Sequence, residues 1–352
     1  MSDKNKNNKE LSERLGAVGG QAVMEGVMMR SKSTVAISVR QMDSKRIVCR
    51  TKPTKTIKDK IKFLNAPILR GIVNFIEMMI LSFSTLTAST EMLGLEEEEP
   101  SRFERWLEKR FGASLFGVIT VLASILGVAL AIFLFFFLPI GSANLLERII
   151  GSDIGRYKNL IEGIMKVVIF VAYIALTSLI PDIKRVFMYH GAEHKSIFCY
   201  EAGEELTVEN IRKHSRFHPR CGTSFMFVMI ILSIFISYFL PGWTYNLPLL
   251  RVLFKIMLLP VIVGLGFEFI MYAGKHPNIV SRILSTPGLW MQRITTKEPD
   301  DSMLEVAIVS IKAALPQVFP DFEIPLEEKK SEESENTELR EFNEEIKADE
   351  NS

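Results

Sequence analysis

Apolar residues in this chain gather into a few long runs, and the length of those runs dictates the architecture. A helix rises 1.5 Å per residue, so about 20 apolar residues cross the ~30 Å hydrocarbon layer of a bilayer. Residues 114–138, 160–180, 223–240 and 252–273 approach that length. The first stretch carries no charge. The second and fourth hold Lys166 and Lys255 near an end, where a long stem can snorkel to the interface. Pro139, Pro181 and Pro241 fall where the first three should stop. The pattern predicts an α-helical integral membrane protein with four crossings in a transmembrane domain over 114–273.

Residues 68–93 fit less cleanly. Their uncharged core is short, and Arg70, Asn74 and Glu77 interrupt the first turns, which predicts an in-plane or re-entrant helix, with a fifth crossing as the lesser alternative. Ahead of it, residues 35–40 alternate at period two, 42–44 turn, and 46–50 return. That reads as a β-hairpin in a small N-terminal cytoplasmic α+β subdomain over 15–67. After the fourth crossing, 278–295 mixes Ile, Leu and Trp290 with Arg282 and Arg293, as an interfacial helix does. Ser302 and Glu305 have the spacing of a capping box, which would open an apolar helix running to about Leu315. Cytoplasmic helices are thus expected over 274–320. The basic N-terminus, 1–14, and the acidic, aromatic-poor tail, 327–352, are expected to be disordered.

Charge orients this scheme. Twenty Lys+Arg precede the first crossing, 7 lie in the 181–222 connection and 9 follow the fourth crossing, against 3 and 1 in the other two connections. Basic flanks stay inside, so both termini and the 181–222 connection are expected in the cytoplasm. The formal net charge of +1 hides a basic head, with 16 Lys+Arg against 6 Asp+Glu in residues 1–70. Such a head suits anionic lipid or ribosomal RNA, and DNA is not an expected partner. The three cysteines are too few for a disulfide framework. MSDKNKNNKE has no apolar run behind its charges, so no cleavable signal peptide is expected.

Candidate chemistry collects on the cytoplasmic side. His190 and His194 in H-G-A-E-H share a helix face at i, i+4 and could ligate one metal, with Glu193 beside them as base or further ligand. His218 and Cys221 in H-P-R-C could complete the site, with Cys221 at a helix N-terminus that favours thiolate. The same residues would equally serve as headgroup-level hydrogen-bonding and packing groups, with Arg220 and Lys195 neutralising lipid phosphate. Glu25, among the glycines of 19–30 and followed by Arg30, is a further candidate ligand or base. Glu268 lies inside the fourth crossing, where an ionisable group is costly. His276 follows on the same side.

The segments G-G-Q-A-V-M-E-G-V-M-M-R (19–30), Y-H-G-A-E-H-K (189–195), H-P-R-C-G-T-S-F (218–225) and P-G-L-W-M-Q-R-I-T-T-K-E-P (287–299) resemble the YqhQ-like family of bacterial membrane proteins. The resemblance runs from about residue 15 to 316. It implies a plasma-membrane protein from a family of unknown function, sometimes labelled a metal-dependent enzyme, and maps that label onto Glu25, His190, Glu193, His194, His218 and Cys221. The expected function is a membrane protein binding a divalent metal such as zinc, with metal-dependent hydrolase-like activity. One alternative is a non-catalytic accessory factor for membrane-protein insertion that docks on ribosome or translocon. The other, motivated by Glu268, is a transporter component, which with so few crossings would need a homo-oligomer.

Overall fold

The computed structural model describes residues 11, 13–59, 61–94, 114–151, 154–155, 157–275 and 279–326. Most of the basic N-terminus, His276 and the acidic tail, which carry three of the expectations above, lie outside the described residues.

Four strands, β1 (Val18–Val23), β2 (Gly26–Ser31), β3 (Thr34–Arg40) and β4 (Ile47–Pro53), form an antiparallel meander in sequence order. The expected hairpin is β3–β4, with Ile37 opposite Arg50. The glycine-rich segment 19–30, not anticipated as strand, supplies β1 and β2. Both faces of the sheet are covered. Val27, Met29, Ala36 and Cys49 enter one core, while Met28, Val35, Ile37 and Val48 enter the other. A strand buried on both faces reads as a continuous apolar run, which is why 26–29 lacks the period-two signal.

Among the described residues the helices are α1 (Leu69–Met92), α2 (Ser114–Ile132), α3 (Leu138–Ile150), α4 (Tyr157–Thr177), α5 (Pro181–Glu201), α6 (Val208–Lys213), α7 (Gly222–Ser237), α8 (Pro248–Lys275), α9 (Ile279–Thr295) and α10 (Asp301–Ala314). Four apolar stretches are long enough to cross a membrane: Leu69–Met92, Val121–Ile150, Tyr157–Thr177 and Pro248–Tyr272. This differs from expectation at two places. α1 qualifies by length, although its mean hydropathy of 1.4 is the lowest of the four. α7 is only 16 residues, because Phe239 and Leu240 bond back to Ile236 and Ser237 and tighten the chain ahead of Pro241. Pro139 does not end its helix either. A π-helical turn, Phe133–Phe137, joins α2 to α3 directly before it. That turn re-registers the ladder where Pro139 offers no N–H.

Lys166 and Lys255 do not snorkel as expected; both are buried. Lys255 pairs with Glu162, and Lys166 donates to Ser233 Oγ at 3.2 Å. The fully buried Arg251 lies 3.5 Å from Glu162 and donates to Thr244 (2.6 Å) and Asn159 (2.7 Å), with its guanidinium 3.7 Å from the Tyr245 ring centre. For Lys255 a carboxylate on another helix, and for Lys166 a hydroxyl, replaces the water that snorkelling would reach.

Helix α1 bridges the two halves of the protein. Arg70 grips Glu268 of α8 through Nε (2.7 Å) and Nη2 (2.5 Å). Close by, Gly71 meets Gly264, and a Cβ on Gly71 would lie 3.0 Å from the Gly264 Cα, so the two backbones touch. Further along, Glu77 accepts from Thr56 (2.8 Å), Ser82 donates to Gln21 (2.5 Å), Lys52 donates to Ser84 (3.2 Å) and Arg50 pairs with Glu91 (3.2 Å). The second sheet core closes on Met92 and Leu93. The opposite core is filled by α5 and α10, and Ser310 of α10 donates to Val27 O at 2.9 Å. The expected box does not cap α10. Asp300 takes that position and accepts from Met303 N at 3.0 Å, leaving Glu305 to pair with Arg40 at 2.6 Å. An aspartate one residue upstream of the helix reaches the same unpaired N–H groups that a serine would.

Candidate metal centre

Pro181 occupies the first turn of α5, where its missing N–H costs nothing. Two turns on, His190 and His194 lie on one face and meet edge to face with ring centres 4.4 Å apart. His190 Nδ1 bonds to Thr295 O at 2.9 Å, and His194 Nδ1 bonds to Arg216 O at 2.5 Å. A carbonyl only accepts, so each Nδ1 carries the proton and each Nε2 keeps a lone pair. Cys221, the N-cap of α7, places Sγ 3.3 Å from His190 Nε2. One donor atom from each of His190, His194 and Cys221 lies within 4.8 Å of the others. Tetrahedral zinc, with bonds of about 2.0–2.3 Å, separates its ligands by roughly 3.3–3.6 Å. A small contraction would close the group on an ion. Imidazoles oriented by backbone carbonyls are the usual outer support of such a site.

Glu193 sits inside the same turn. It is 5% exposed, accepts from the Gly20 N–H, and has Oε2 without a hydrogen-bond partner among the described residues, 4.0 Å from His190 Nε2. Burial pushes its carboxyl up to about 7, against the pull of His190 and the Gly20 N–H. Gly20 permits this approach, since a Cβ there would meet Glu193 Cγ at 2.9 Å and Met28 O at 2.7 Å. Burial also lowers His194, opposed by its hydrogen bond with Cys221, and so favours the neutral imidazole that ligates. The donor set and the orphaned carboxylate oxygen together fit a borderline-soft divalent ion.

The segment after α9 holds the arrangement. Lys297 N–H bonds to Phe187 O at 2.8 Å, strapping 295–299 across α5 at Gly191. A Cβ on Gly191 would overlap Lys297 O and lie 3.3 Å from Pro299 Cδ. The Gln292 amide pairs both ways with the His218 backbone, at 2.7 and 2.8 Å, and Arg216 donates to Thr296 O. These supports were not anticipated. Their signal was the 287–299 motif, which names the segment but gives no role to Gln292 or Thr295.

The other expected site residues lie elsewhere. His218 has its ring centre 5.5 Å from that of His194, but its Nε2 faces Glu201 at 3.8 Å and it is not in the donor group. Glu201 also takes the Gly16 N–H (2.9 Å) and Arg220. Burial opposes its ionisation, but His218, Gly16 and Arg220 outweigh that and hold its carboxyl below the usual range. Glu25 turns the β1–β2 corner with φ +48° and pairs with Arg185 at 2.5 Å and Tyr189 at 3.3 Å, so Arg185 rather than the histidines neutralises it. Arg30 reaches the Met78 sulfur at 3.0 Å, and Glu268 is taken by Arg70.

A family described as a protein of unknown function (DUF1385) matches residues 66–317. The uncharacterized protein YqhQ of Bacillus subtilis (strain 168) is 37% identical over 307 residues, covering 85% of this chain and 92% of the relative. No solved structure matches. The four sequence motifs, the apolar helices and these similarities agree, and the chain belongs to the YqhQ-like DUF1385 family, whose function is unknown.

Proposed function

We propose that this protein holds a divalent, zinc-class ion at the cytoplasmic face of the bacterial plasma membrane and uses it in hydrolase-like chemistry. The observation that carries this is the pair of imidazoles whose Nδ1 atoms are spent on carbonyls, so that both Nε2 atoms converge on Cys221 beside the orphaned Glu193 oxygen. His190, His194 and Cys221 would hold the ion, which supplies Lewis acidity. Burial raises Glu193 to about 7 in the metal-free protein, a bound ion would draw it toward the carboxylate, and Oε2 would then accept a proton as base.

In this reading α2–α3, α4, α7 and α8 cross the bilayer and α1 lies on its cytoplasmic surface. Support comes from the bonds that tie α1 to the sheet from Glu77 to Glu91 and to Glu268 near the C-terminal end of α8. A crossing α1 would draw Arg50 and Lys52 into hydrocarbon, at a cost of several kcal/mol on the order of 2.5–3.5 per residue. The accessory-factor alternative gains less, because Arg40, Arg50 and Lys52 are already bonded within the protein.

Protein purified without chelator at neutral pH should carry an ion by mass spectrometry that is lost in H190A and C221S. Wild-type protein that is folded and metal-free, and takes up no zinc on dialysis, overturns the proposal.

A further inference from the structure

Helix α5 ends in a complete Schellman motif. Gly203 adopts φ +75°, its N–H bonds to Tyr200 O at 3.1 Å, and the Glu204 N–H bonds to Cys199 O at 3.2 Å. This closure brings the residue after the glycine back over the residue three before the cap, where two apolar side chains ordinarily touch. Here that pair is a carboxylate and a thiol, Glu204 and Cys199. The chain then enters α6 through Thr207, whose hydroxyl accepts from Asn210 N at 3.3 Å, and leaves it at His214, the C-cap. His214 Nε2 returns to within 3.2 Å of Glu204 Oε2.

One donor atom from each of Cys199, Glu204 and His214 lies within 4.8 Å of the others. The placement is firm, because Leu206 and Ile211 anchor the connection and α6 in the core. The neighbouring cation, Lys213, is directed to Asn210 (3.2 Å) and Glu209 (3.5 Å). Cys199 is fully buried while the Glu204 side chain is 45% exposed, so the group has a closed sulfur end and an open carboxylate end. That is the layout of three protein ligands with a remaining position for water.

We propose that Cys199, Glu204 and His214 form a second divalent-metal site, of mixed sulfur, oxygen and nitrogen ligands suited to a zinc-class ion. It pins the end of α5 to the end of α6 and shares no ligand with the His190 centre. Without an ion the Cys199 thiol donates to Glu205 O at 3.4 Å and His214 pairs with Glu204; a bound ion would take the thiol proton's place and draw sulfur, carboxylate and imidazole together.

Full-length protein in detergent, loaded with Co(II) and desalted, should hold two ions per chain. One should be lost in H190A and C221S, the other in E204Q and H214A. E204Q keeps the shape of the side chain and a hydrogen bond to His214, so its loss of one ion with the C221S-sensitive ion retained reports ligation rather than misfolding. An unchanged ion count and cobalt spectrum in both E204Q and H214A overturn the proposal. An E204Q-sensitive ion without a C221S-sensitive one sinks the reading of the His190 centre and leaves this site standing.

Discussion

Glu193→Gln removes a charge from the His190 centre while preserving its shape. In the folded protein burial raises the Glu193 carboxyl from 4.5 to about 7. The folded state therefore holds this proton more tightly than the unfolded chain does. Its contribution to stability is fully present below about pH 4.5 and is lost as pH rises through 7. At 1.36 kcal/mol per pK unit, that displacement amounts to about 3 kcal/mol. Glutamine does not titrate, so the variant should lack this loss. The difference in unfolding free energy, variant minus wild type, should grow by about 3 kcal/mol between pH 4.5 and 8. Thermal or guanidinium unfolding of the metal-free protein in detergent, at half-unit steps of pH, reads it directly. Parallel pH profiles for the two proteins, within about 1 kcal/mol, would refute the burial argument. With an ion bound, the wild-type dependence should shrink, because a nearby cation favours the carboxylate.

Gly191→Ala should cost about 2–3 kcal/mol and weaken metal binding, since the new methyl drives the 295–299 strap off α5; an unchanged melting temperature contradicts it. Gln292→Leu breaks the double pairing with His218 and should lower metal affinity roughly 10–100-fold in a competition titration. Glu162→Gln leaves Lys255 and Arg251 without their carboxylate and should destabilise by about 3–5 kcal/mol, measured by unfolding in detergent. Asn65→Cys and Thr90→Cys, which flank or end α1, should both resist a membrane-impermeant maleimide added to intact cells; labelling of either one shows that α1 crosses.

The periodicity of the sequence located the hairpin β3–β4, the helix α9 and most of the apolar stretches, because each leaves a local signal. What it could not supply depended on partners distant in the chain. β2 is buried on both faces, so 26–29 reads as apolar rather than alternating, and β1 is half-exposed and rich in glycine. Lys255 reads as snorkelling until Glu162 of α4 is placed beside it, and Lys166 until Ser233 of α7 is. At the site, His190, His194 and Cys221 were legible from helical spacing and a helix start. His218 joins them by its spacing to Cys221 and Glu25 by its flanking glycines, but their partners, Arg185 for Glu25 and Glu201 for His218, are 160 and 17 residues away. The carbonyls of Thr295 and Arg216 were invisible in principle, because a backbone atom has no sequence signature.

The buried knot of Glu162, Lys166, Arg251 and Lys255 also bears on how the chain enters a bilayer. In the topology proposed here, α4 is made first and carries charges that lipid alone would not accommodate, while the cations that share Glu162 belong to α8. About 90 residues separate Lys166 from Lys255. At roughly 5–20 residues per second of synthesis, α4 waits on the order of 5–20 s for its partner. In that topology α4 would stay in a hydrated environment over that interval, and lipid would accept it only once α8 brings Lys255 and Arg251 to Glu162.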